Sequence, residues 1–84
     1  MVKEEIWSIP IHRAQSFFRQ QPDVTEEHAN TYCFGSCRVA LTDLGSQGTG
    51  FWVAQRICIR FEGEEADVKA LHHRFFIQFL STGG

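Results

Sequence analysis

Hydrophobic and polar positions alternate along two long segments of this chain, and a helical stripe follows them. Residues 51–62 read as one strand. Phe51, Val53, Ile57, Ile59 and Phe61 point one way with Gln55 among them, and Trp52, Ala54, Arg56, Cys58, Arg60 and Glu62 point the other. Residues 31–43 read as another strand. Cys37, Val39 and Leu41 form its apolar set, which places Tyr32, Phe34, Ser36 and Arg38 on the opposite face; a bulge at Gly35 would reverse part of that assignment. Leu44 to Gly50 contains three glycines and reads as an open hairpin loop. Upstream, Glu5 to Ile11 predicts a first strand, with Trp7, Ile9 and Ile11 on one face and Ile6 and Ser8 on the other. Pro10 cannot donate to a ladder, which suits a strand end or a sheet edge.

At Ile11 the period changes from two to about 3.6. Ile11, Ala14 and Phe18 make a helical stripe that Phe17 widens, and Pro22 stops the helix near Gln21. Asp23-Val-Thr-Glu26 resembles a capping box and predicts a short helical turn over residues 24–29, with a plain polar loop as the alternative. Gly63 ends the last strand. Glu64, Glu65 and Asp67 suit the positive end of a second helix, whose buried stripe is Val68, Leu71, Phe75 and Phe79 with Phe76 at its margin.

The order strand, helix, strand, strand, helix predicts a single α+β domain over residues 1–84, with 81–84 as a flexible tail. About three antiparallel strands would carry the helices on one face, as in a ferredoxin-like split unit that lacks its last strand. Such a sheet keeps free edges, and pairing with a second copy is a natural completion.

Composition sharpens this picture in three places. A hydrophobic content of 43% with 21% charged residues fits a folded globule. A formal net charge of −2 argues against general binding to nucleic acid or anionic membrane. Three cysteines behind a charged N-terminus, with no apolar leader and no spanning segment, point to a reducing, cytoplasmic setting without membrane contact.

Candidate chemistry is sparse, and no cofactor signature appears. Cys33 and Cys37 invite a metal reading with His28, His72 or His73, but residues four apart on a strand lie roughly 13 Å apart, too far for one tetrahedral ion. Small buried thiols are the alternative. The glycine run 45–50 lacks the lysine of a phosphate-binding loop. Gly83-Gly84 is similar to the tail of ubiquitin-like sulfur carriers, a resemblance that covers two residues and implies an activated C-terminus; in that family a strand runs into the tail, whereas here a helix is expected. His72 falls within the apolar arc of the second helix and His73 near its margin, so His72 is the titratable group expected in the wall of any pocket between sheet and helices, with Gln55 as its polar companion.

The most suggestive constellation is an open sheet face that gathers Tyr32, Phe34 and Trp52 with Arg38, Arg56 and Arg60. Aromatic and arginine side chains are enriched at protein interfaces, so this face predicts a self-associating binding module. Stacking of single-stranded RNA on the same face is the rival reading, and a small-molecule or catalytic pocket beside His72 is the third.

Overall fold

In the computed structural model of the chain, residues 1–28, 30–48 and 54–82 are described. They build a five-stranded antiparallel sheet with two helices. The strands are β1 (Val2–Trp7), β2 (Thr25–His28), β3 (Thr31–Phe34), β4 (Cys37–Gln47) and β5 (Ala54–Glu62); the helices are α1 (Ile11–Arg19) and α2 (Glu65–Thr82). The sheet order is β1-β5-β4-β3-β2. The α+β class with antiparallel strands is as the sequence predicts, and the topology differs in detail. A split β-α-β unit leaves room for one strand between its two parallel members. Here β1 and β2 run parallel at opposite edges, with β5, β4 and β3 between them.

Two extra strands come from two local departures. Residues 31–43 are not one strand. Gly35 and Ser36 form a tight turn, with Gly35 at φ +59° and Ser36 at negative φ, the pattern of a type II′ hairpin. The expected helical turn over residues 24–29 does not form in its described part: Thr25–His28 pairs with β3, bulged between Glu26 and His28, and residue 29 lies outside the described residues. Leu44 to Gln47, expected in the loop, belong to β4, which runs on past a bulge between Asp43 and Gly45. Phe51, Trp52 and Val53 lie outside the described residues, as do Gly83 and Gly84, whereas α2 continues through Ser81 and Thr82.

The core lies between the helices and one sheet face. Tyr32, Phe34, Cys37, Val39, Leu41, Ile57, Ile59 and Phe61 supply the sheet side; Ala14, Phe18, Val68, Leu71, Phe75 and Phe79 supply the helical side. Phe18 and Phe75 stack at its centre with ring centroids 5.4 Å apart. The N-terminus of α2 is fixed by the β3–β4 turn: the Ser36 hydroxyl donates to Asp67 at 2.6 Å and accepts from the Glu64 amide at 3.3 Å. The far half of the β4–β5 hairpin leaves this core. Residues 42–46 and 54–56 are exposed on both faces, which gives the molecule its 43 Å long axis.

Candidate functional site

The hairpin turn at Gly35 decides where the aromatic residues go. In a two-residue hairpin Phe34 pairs directly with Cys37, and Tyr32 with Val39, so each pair shares a face. Tyr32 and Phe34 are therefore buried with the core, at 0% and 4% exposure. The expected aromatic-arginine face is not assembled among the described residues, and Trp52 lies outside them. The open face reads in rows across the sheet instead. One row runs Val2, Glu62, Arg38, Cys33 and Thr25; the next runs Glu4, Arg60, Ala40 and Thr31; a third runs Ile6, Cys58 and Thr42. Arg56 follows further along β5, opposite Gly45. Arg38, Arg56 and Arg60 thus share the face but alternate with acids, threonines and small residues. Arg60 and Glu62 approach to 3.5 Å, and both are half exposed, so that pair contributes little.

His72 has a partner that sequence spacing does not reveal. Its Nε2 lies 2.7 Å from Glu5 Oε1, and the Trp7 indole donates to the same oxygen at 3.2 Å. A carboxylate has no proton to give, so the imidazole donates. The Phe61 ring meets His72 edge-on at 5.4 Å, and Phe76 stacks over it at 6.0 Å. Burial pushes the Glu5 carboxyl up, but the His72 and Trp7 hydrogen bonds and the charges of His72 and Lys3 outweigh it, leaving the pKa below the ordinary carboxylate value. Gln55 is not part of this cluster. It is exposed in the hairpin arm, six residues along β5 from Phe61, or roughly 20 Å. His73 is exposed. The one hint available in the sequence was the alternation Lys3-x-Glu5-x-Trp7, a strand register that sets Glu5 beside the helix layer.

The cysteines separate. Cys33 and Cys37 face opposite sides of the β3–β4 hairpin, and no group of three or more His, Cys, Asp or Glu side chains gathers at metal-binding distance among the described residues. Burial raises the Cys37 thiol, and burial with the charge of Glu4 raises Cys58, so neither is an activated nucleophile. A groove of about 310 Å³ lies between the helices rather than between helices and sheet. Phe17 and Phe79 floor it, His12, Arg13, Ser16 and Gln78 rim it, and His72 is not among its walls.

What the sequence missed is the apolar flank of α2. Phe76, Ile77 and Leu80 are 39%, 51% and 60% exposed. Trp7, at the sheet edge, touches Phe76 with ring centroids 6.1 Å apart. Phe76 and Leu80 share an i, i+4 spacing and lean toward β1, because Phe76 meets Trp7 while Arg74, on the other flank, donates to Gln21 beside α1. Across the sheet, Val2 and Ile6 are 54% and 63% exposed on the outermost strand. No described helix is long and apolar enough to cross a membrane. The chain matches no protein-family model and no curated protein.

Proposed function

We propose that this chain is a homotypic interaction module, which assembles with itself along the β1 side of the sheet. The observation that carries this reading is the juxtaposition of an edge strand with an exposed apolar helix flank: Phe76 of α2 stands beside Trp7, Leu80 follows one turn on along the same flank, and Val2 and Ile6 lie on the far side of the same strand. These side chains are already about half covered in the monomer, so burying what remains gains about half of the ~1.5–3 kcal/mol of a full burial each, and several per subunit form an adequate nucleus for association. The free edge supplies the directional part, since unpaired amides and carbonyls on a strand accept another strand. The expected association through the open face is replaced here by the edge, because Tyr32 and Phe34 are consumed by the core. RNA stacking on that face loses the same two rings.

Sedimentation velocity between 1 and 100 µM (a range set on the order of ordinary assembly affinities) tests the reading. Wild type is expected to shift from monomer to dimer within it. Ile6→Asp, which places a charge on the exposed face of the edge strand and leaves the core untouched, is expected to hold the chain monomeric, while Gln55→Ala in the arm has no effect. A wild type that stays monomeric throughout overturns the proposal.

A further inference from the structure

We propose that the second copy is held in one register, with Glu4 facing Glu4 across a two-fold axis, so that two sheets join into one of ten strands; this rests on the self-association argued above. The backbone sets the first constraint. Met1 and Gly63 exchange two hydrogen bonds, at 2.8 and 3.0 Å, and antiparallel pairs alternate between bonded and non-bonded. Counting along the register, Lys3, Glu5 and Trp7 bond to β5, while Val2, Glu4 and Ile6 turn their N–H and C=O groups to the free edge. An antiparallel partner must therefore match these even positions to its own even positions.

Three such registers are short enough to use the strand. Pairing Val2 with Glu4 of the copy sets Lys3 against Lys3. Pairing Glu4 with Ile6 sets Glu5 against Glu5. Each makes two bonded residue pairs within the strand. Pairing Val2 with Ile6 makes three, Val2–Ile6, Glu4–Glu4 and Ile6–Val2, and also sets Lys3 against Glu5 twice. The exposed apolar residues then cover one another on the open face, and opposite charges meet on the helix face. The cost is one Glu4–Glu4 contact, and each Glu4 has Arg60 as its other neighbour.

The helices fit the same arrangement. α2 touches β1 through Glu5 and Trp7 and β5 through Phe61. A helix riding between those two strands lies about one strand spacing, ~4.8 Å, from an axis placed midway between the two β1 strands. The two α2 axes would then be about 10 Å apart, the packing distance of helices. A six-residue strand pair is small against the roughly 1,600 Å² of a standard interface. In this register Trp7 lies opposite Met1 of the copy, so Phe76, which stands over Trp7, must cover the start of the copy's β1 as well.

The register predicts a specific cross-link. In a chain carrying Cys33→Ser and Cys58→Ser, with Cys37 buried, Glu4→Cys should form a disulfide with its own copy under mild oxidation, since bonded antiparallel pairs sit about 5.5 Å apart at Cα, within disulfide range. Val2→Cys in the same background should not, because two Val2 positions lie roughly 13 Å apart. Glu4→Gln, which perturbs the fold least, should tighten assembly about two- to fivefold at low salt by removing the like-charge pair. Sedimentation of each variant separates the two ideas. Dimers that cross-link through Val2 rather than Glu4, or that ignore Glu4→Gln, overturn the register and leave self-association standing. Monomers throughout overturn both.

Discussion

Gly63 and Glu5 show how single positions constrain this molecule. Gly63 has φ +152°, and a Cβ there would stand 2.5 Å from the Ser36 carbonyl oxygen and 2.8 Å from the Cys37 Cα. Both obstacles are backbone, so they cannot swing aside. Gly63→Ala should therefore cost about 2 kcal/mol or more in a denaturant titration, and the loss should be shared by the β3–β4 turn and the start of α2. Glu5 makes a different prediction. Its folded pKa lies below the ordinary value of 4.5, since the His72 and Trp7 bonds outweigh burial. The stability it contributes is complete above that ordinary value and is lost as pH falls through the folded one. Thermal melts from pH 6 downward should show wild type losing this increment while Glu5→Gln does not. At pH 6 Glu5→Gln should be less stable by about 1–2 kcal/mol, the worth of a charge-assisted hydrogen bond.

At the scale of elements, periodicity carried some segments and failed on others for physical reasons. α1, α2 and the Ile57–Phe61 face of β5 were legible because their apolar positions recur at helical or strand spacing and meet one core. Phe75 illustrates the energetics: it stacks on Phe18, meets Trp7 edge-on at 5.1 Å and is fully buried. Phe75→Ala should cost about 3–5 kcal/mol, enough to threaten a domain of this size, and circular dichroism with urea unfolding would measure it. The β3–β4 hairpin was hidden by reading residues 31–43 as continuous. Gly35-Ser36 is a type II′ pair, and recognising it moves Tyr32 and Phe34 to the core face at once. β2 was hidden because Thr25-Glu-Glu-His28 lacks alternation. It is an edge strand, and charge on an edge discourages unwanted pairing more than it signals structure. Glu5–His72 was hidden because its partners are 67 residues apart and meet only when β1 joins β5.

The whole molecule has two unlike edges. β2 is short, bulged and acidic in sequence, features that protect an edge. β1 is regular over six residues and flanked by exposed apolar side chains on both layers. That asymmetry favours closed pairing through β1 over open-ended growth, so assembly should stop at a dimer. The most direct measurement is amide hydrogen exchange of the wild-type chain along β1 as concentration is raised through the dimer transition. Lys3, Glu5 and Trp7 bond to β5 in every state and should be protected throughout. Val2, Glu4 and Ile6 should exchange freely when dilute and become protected together as dimers form. If those three amides stay unprotected while sedimentation reports dimers, the edge is not the interface, and the chain associates through another surface.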